Sequence, residues 1–85
     1  MMHPSPEQIR ELIITHLLEL PEGFAEDADL FEAGLDSMAI MQLLLLLEEQ
    51  YSVQIPMGEV SHDNFGTTRA IARLVGSKQP PVSDH

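Results

Sequence analysis

The sequence has 85 residues, enough for one domain with one modest hydrophobic core. Fourteen acidic residues against four lysines and arginines give a formal net charge of −10, which argues against binding to nucleic acids or anionic membranes. The absence of cysteine excludes disulfides and thiolate metal sites, and the lack of a signal peptide or a long apolar run predicts a soluble cytoplasmic protein.

The first predicted helix begins with a strong local signal. Ser5 can cap the helix, Pro6 suits its first position, and Gln8 stands where a capping box needs a glutamine. Apolar residues then recur on one face, at Ile9, Ile13, Leu17 and Leu20. We expect the helix to run until Pro21 ends it.

A long acidic connection, "PEGFAEDADLFEAGLD", covers residues 21–36. A connection of this length in a small domain is usually functional or anchored by its own apolar residues. We expect Leu30 and Phe31 to be the anchors, and Gly34 to allow a tight turn before the next helix.

The acids Asp27, Asp29 and Glu32 suggest a calcium-binding loop at first inspection. An EF-hand loop beginning at Asp27 would need glycine where Glu32 stands and glutamate where Met38 stands. The spacing therefore predicts no metal site.

The second main helix is predicted over Ser37–Tyr51, with Asp36 as its N-cap. One apolar side, the expected core face, contains Ile40, Leu43, Leu44, Leu47 and Tyr51. A nearly opposite side, here called the methionine seam, contains Met38, Met41 and Leu45. Polar residues flank the seam at Gln42, Glu48 and Glu49. A domain this small cannot wrap its central helix completely, so we expect the seam to contact other proteins, unless the long acidic connection covers it.

The segment "SVQIP" follows this helix and alternates apolar and polar residues as a strand does. Pro56 comes at once, however, and the chain offers no partner strand. We therefore expect an extended connector whose Val53 and Ile55 dock into the core. A short helical turn is predicted around residues 58–62.

The last helix is predicted to begin at Thr67 or Thr68 and to end at Gly76. Core residues in and just before it are expected at Phe65, Ile71, Leu74 and Val75. The predicted fold class is all-α, a small bundle of three main helices plus one short helix. The domain would span residues 1–76, and residues 77–85 would form a flexible tail.

Ser37 itself could play three roles. The first is a simple helix cap. A nucleophilic serine of the hydrolase type would need glycines two residues before and after it, but Leu35 and Ala39 stand there. No sequence context connects His16 or His62 to Ser37 as a base; we expect His16 to pack and His62 to be solvated. The third role is attachment of a larger group.

Two segments, "DLFEAGLDSM" and "LLEEQYSVQIP", carry short motifs at the start and end of the second main helix. The pattern is Asp-x-Leu-Phe, then Gly-x-Asp-Ser-Met, then Glu-Glu-x-aromatic and Ile-Pro. The residues that form it are Asp29, Leu30, Phe31, Gly34, Asp36, Ser37, Met38, Glu48, Glu49, Tyr51, Ile55 and Pro56. This ordered set resembles the acyl carrier protein and peptidyl carrier protein family, and the resemblance spans about residues 7–75.

The resemblance implies that a phosphopantetheinyl transferase attaches 4′-phosphopantetheine from coenzyme A to Ser37. Asp36 would help to orient the transferase and its magnesium ion. The arm's thiol would carry an acyl or aminoacyl group, loaded by a ligase and used by downstream synthase enzymes, while the protein itself would be a non-catalytic monomer. Partner enzymes are expected to dock on Met38, Met41, Gln42, Leu45, Glu48 and Glu49. The N–H groups at the start of the helix suit a phosphate independently of the resemblance.

Two departures from carriers of primary fatty-acid synthesis favour a free-standing carrier of a specialised pathway. Ala39 and Gln42 stand where acidic residues are common, and the segment after Pro56 is longer. The competing hypothesis is an unmodified helical adaptor that uses the methionine seam only for docking.

Overall fold

The computed structural model describes residues 4–79, and every regular element in this range is helical. The elements are α1 (Pro6–His16), α2 (Leu30–Ala33), α3 (Ser37–Tyr51), a 3₁₀ turn (Met57–Glu59), α4 (His62–Phe65) and α5 (Thr68–Lys78). The predicted all-α bundle of three main helices is confirmed, although three short elements accompany them where one was expected. No helix within the described range has the length and apolarity that a bilayer span requires.

The start of α1 follows the predicted capping box. The Ser5 hydroxyl accepts from the Gln8 N–H at 3.1 Å, and the Gln8 side chain accepts from the Ser5 N–H at 2.9 Å. These two bonds satisfy donors that a helix start otherwise leaves unpaired.

The end of α1 was predicted wrongly, at Pro21 instead of His16. The Ile13 carbonyl accepts from the N–H groups of both Leu17 and Leu18, at 2.8 and 3.1 Å, which closes the last turn. The leucines beyond the helix, Leu17, Leu18 and Leu20, are half-buried against the core. Tertiary packing of this apolar segment therefore overrides its helical periodicity.

Helix α3 has the predicted bounds, and Ile40, Leu43 and Leu47 of its core face are buried. Leu44 and Tyr51, which were also predicted on that face, are only half-buried.

The segments after α3 complete the core as predicted. Val53 is buried and Ile55 packs against the core from an extended connector. Buried residues in the C-terminal part include Phe65, Ile71, Leu74 and Val75. Helix α5 packs against both α1 and α4, which brings the two ends of the described chain together.

Helix α5 continues past Gly76, where the sequence predicted its end, and finishes at Lys78. The Lys78 ammonium binds the Glu59 carboxylate at 2.7 Å and holds this last turn on the 3₁₀ turn. Gln79 is extended, as expected for a residue that precedes proline. Residues 80–85 of the predicted tail lie outside the described residues.

Candidate functional site

Ser37 is the first residue of α3, and its side chain is exposed. The cap is Asp36, whose Oδ1 accepts from the Ala39 N–H at 2.9 Å. Among residues 4–79, the Ser37 hydroxyl has no hydrogen-bond partner, so the simple capping role proposed for it was wrong. The N–H groups of Ser37 and Met38 also lack an acceptor within the helix. The site thus offers a free hydroxyl beside free backbone donors.

The turn before Ser37 is held by hydrogen bonds along the chain. Helix α2 ends at Gly34, whose φ of 120° lies in the range that favours glycine. The Leu35 N–H then donates to the Leu30 carbonyl at 3.0 Å, and both leucine side chains are buried. The Asp36–Ser37 corner is therefore fixed from one side by α2 and from the other by α3.

The N-cap of α2 is Asp29, a role that was not predicted from the sequence. Asp29 Oδ1 accepts from the N–H groups of Phe31 and Glu32, at 2.9 and 3.4 Å. The other oxygen, Oδ2, lies 3.1 Å from His62 Nε2. The hydrogen bond from His62 is the main reason that the pKa of Asp29 is lowered, and the two N–H donors of α2 act in the same direction.

Neither His16 nor His62 hydrogen-bonds to the Ser37 hydroxyl, so neither acts as a base for Ser37. His62 binds Asp29 and stacks on Phe31, with ring centroids 5.4 Å apart and an angle of 25° between the rings. It is exposed as expected, but it has partners that the sequence did not reveal. His16 is exposed at the end of α1, so its predicted packing role was wrong.

The methionine seam is open to solvent. Its residues Met38, Met41 and Leu45 are 72 %, 58 % and 64 % exposed, so the acidic connection does not cover it and that alternative was wrong. The predicted polar flank, Gln42, Glu48 and Glu49, is exposed as well.

A groove of about 550 Å³ continues the seam toward the connector after α3. Its lining consists of Met41, Leu44, Leu45, Glu48, Gln54, Ile55 and Pro56. Gln54 Nε2 donates to the Glu48 carboxylate at 3.4 Å across one end. Met57, which follows in the 3₁₀ turn, is 62 % exposed and enlarges the apolar surface. Met57 was not predicted as part of this surface, although an apolar residue directly after Ile-Pro was the available signal.

Charge is distributed unevenly over the helices. All four lysines and arginines of the chain lie on α1 or α5, at Arg10, Arg69, Arg73 and Lys78. Helix α3 has none, and its only charged residues are Glu48 and Glu49. The surface that begins at Ser37 is therefore apolar in the middle and acidic at its far end, which suits a partner with complementary positive charge.

Comparison with known proteins agrees with this geometry. Residues 7–75 match the family described as "Phosphopantetheine attachment site". The D-alanyl carrier protein of Leuconostoc mesenteroides is 39% identical over 72 residues, which cover 84% of this chain and 91% of that protein. The aminoacyl carrier protein of Agrobacterium fabrum is 36% identical over 70 residues, or 79% and 83% of the two chains.

The fold of this chain also resembles that of a chain in a solved structure. It is the crystal structure of an engineered Bradyrhizobium japonicum glycine:[carrier protein] ligase complexed with carrier protein from Agrobacterium tumefaciens and AMP. The match has a TM-score of 0.70 and 32% identity, and covers 85% of this chain and 99% of the matched one.

Proposed function

Because the chain belongs to the phosphopantetheine attachment site family of carrier proteins, which hold a covalent 4′-phosphopantetheine, we propose that Ser37 is the residue to which the arm is attached. The observation that carries this proposal is the free, exposed Ser37 hydroxyl on the first turn of α3. Bound to Ser37, the arm supplies a thiol that holds a pathway intermediate as a thioester.

The surrounding residues fit a phosphodiester at this position. The N–H groups of Ser37 and Met38 and the positive end of the α3 dipole stabilise its negative charge. Asp36 uses Oδ1 to cap the helix, which leaves Oδ2 to face the phosphopantetheinyl transferase and its magnesium ion. The backbone hydrogen bonds on either side of Ser37 hold its main chain in place at the start of α3.

The cargo that we propose is an aminoacyl group, loaded by an amino acid:[carrier protein] ligase. Two relatives that each cover most of this chain are named for D-alanyl and aminoacyl groups, and the matched solved structure holds a carrier with a glycine ligase. In this role the domain presents its cargo to enzymes, and neither His16 nor His62 hydrogen-bonds to Ser37 to act as its base. A net charge of −10 favours a monomer that meets its enzymes one at a time.

Docking of these enzymes is proposed on the methionine seam and its polar flank. The exposed side chains are Met38, Met41, Gln42, Leu45, Glu48 and Glu49. Methionines adapt their shape to different partners, which suits a carrier that must meet a transferase, a ligase and a downstream synthase enzyme in turn.

The attachment residue can be tested by intact mass. The protein is incubated with coenzyme A and a broad-specificity phosphopantetheinyl transferase, and we expect the wild type to gain one phosphopantetheine. Ser37→Ala should gain none, whereas the control Ser52→Gly, which removes an exposed serine at the other end of α3, should gain one. A folded wild-type protein that gains nothing would support the unmodified adaptor instead.

The docking surface can be tested with charge substitutions on α3. Met41→Glu and Leu45→Glu should each lower kcat/KM for glycine loading of the modified protein by the engineered ligase, about fivefold or more. Gln50→Glu is the control, because it adds the same charge on the opposite side of the helix. Circular dichroism should show an unchanged fold in all three variants. If either seam variant unfolds, the seam belongs to the core.

A further inference from the structure

Two single-turn helices, α2 and α4, contact each other at a few residues although they lie some thirty residues apart in the chain. A single helical turn has little stability of its own, so each depends on contacts with its surroundings. One contact is a backbone hydrogen bond of 2.7 Å from the Leu30 N–H to the Gly66 carbonyl. Leu30 and Phe65 are fully buried beside it.

His62 adds a second set of contacts between α2 and α4. Its Nε2 lies 3.1 Å from Asp29 Oδ2, and its ring stacks on Phe31 at 5.4 Å. Asp29 thus caps α2 with one oxygen and binds α4 with the other. The lowered pKa of Asp29 is consistent with this arrangement, because both sets of donors favour the charged carboxylate.

Helix α2 is directly connected to the candidate attachment residue. After Gly34, the buried Leu35 donates back to Leu30, and Asp36 and Ser37 follow without a break. A movement of α2 away from α4 would therefore displace Leu35 and, with it, the corner that presents the Ser37 hydroxyl.

We propose that His62 is a positioning residue for Ser37: by binding Asp29 and stacking on Phe31, it holds α2 against α4 and so keeps the Ser37 hydroxyl in the position that the transferase uses. This inference rests on the proposed attachment of the arm to Ser37. It assigns His62 a role in recognition of the carrier, with no role in proton transfer.

His62→Ala removes both contacts and is the direct test. An exposed hydrogen bond and an aromatic stack each change an equilibrium by a factor of about two to five, so hydrogen-exchange protection of the Leu30, Gly34 and Leu35 amides should fall about tenfold. Amides of α1 and α5 should keep their protection. For a single turn that is open in about a tenth of wild-type molecules, a tenfold rise in opening leaves about half of the molecules in the competent conformation, so the KM for phosphopantetheine transfer should rise about twofold with kcat unchanged.

Three further variants separate positioning from general destabilisation. His62→Gln keeps an N–H donor for Asp29, and His62→Phe keeps a ring to stack on Phe31. Each variant should therefore show more amide protection and a lower KM than His62→Ala. His16→Ala removes an exposed histidine that has no partner among residues 4–79, and should change neither quantity.

Several results would overturn the proposal. They are unchanged protection in His62→Ala, an equal loss of protection in α1 and α5, a loss of protection without a change in KM, or the absence of any rescue by glutamine and phenylalanine. A wild-type protein that the transferase does not modify would refute the Ser37 assignment and the positioning role together. The exchange data would still report whether His62 holds α2, so the two failures can be told apart.

Discussion

Replacing Leu47 with alanine should destabilise the domain far more than the same change at Leu45, two residues earlier on α3. Leu47 is 0 % exposed, whereas Leu45 is 64 % exposed. Leu47→Ala removes three buried carbons, each of which contributes about 0.8 kcal/mol to the free energy of unfolding. The cavity left behind adds to this loss, so we expect a decrease of about 2–5 kcal/mol. At Leu45 the same carbons face water, so we expect a change within about 0.5 kcal/mol.

Urea unfolding followed by far-UV circular dichroism measures both variants. The midpoint should shift with an unchanged slope if the fold and its unfolded state are otherwise preserved. Because a small domain has only about 5–15 kcal/mol of stability, Leu47→Ala should remove a large share of it. The half-buried Leu44 should give an intermediate loss on replacement by alanine. Equal losses at Leu45 and Leu47 would refute the assignment of the two faces.

Three further predictions concern backbone and charge. Ser52→Gly should raise the melting temperature, because Ser52 ends α3 in the left-handed conformation, with φ of 57°. That conformation costs a non-glycine residue about 1–2 kcal/mol. A lower melting temperature in the variant would contradict this reasoning. Gly66→Ala should lower the free energy of unfolding in urea by about 1–3 kcal/mol, because the alanine Cβ would lie 2.4 Å from the His62 carbonyl oxygen. An unchanged free energy of unfolding would show that α4 can move aside. The lowered pKa of Asp29 means that its ionised form stabilises the fold above its ordinary pKa, and that this contribution disappears as pH falls through the lowered value. Between about pH 6 and about pH 3, the free energy of unfolding should therefore fall less in Asp29→Asn than in the wild type. The same pH dependence in both proteins would refute the pairing of Asp29 with His62.

Local signals in the sequence were sufficient for much of the fold. The bounds of α3 follow from the Asp36 cap and a run of strong helix formers, and the capping box at Ser5 fixes the start of α1. The end of α1 could not be predicted in the same way, because Leu17 leaves the helix to pack against residues that are distant in sequence. Helix α2 is too short to show a period, although Asp29 and Gly34 bracket it as cap residues.

In the candidate site, too, the features set by local sequence could be predicted, whereas contacts between distant residues could not. Asp36, Ser37 and the exposed methionine seam could be predicted because they lie on one helix, where spacing determines which residues share a face. The contact of His62 with Asp29 joins residues 33 positions apart, and no local pattern indicates it. Such contacts depend on how the short helices pack, which only the three-dimensional structure shows.

Purification of the protein from its native host, followed by proteolysis and fragment mass spectrometry, tests the central claim most directly. We predict one phosphopantetheine, located on Ser37. A folded protein from cells that contains no such group, or that holds it on another residue, would contradict the proposed attachment site.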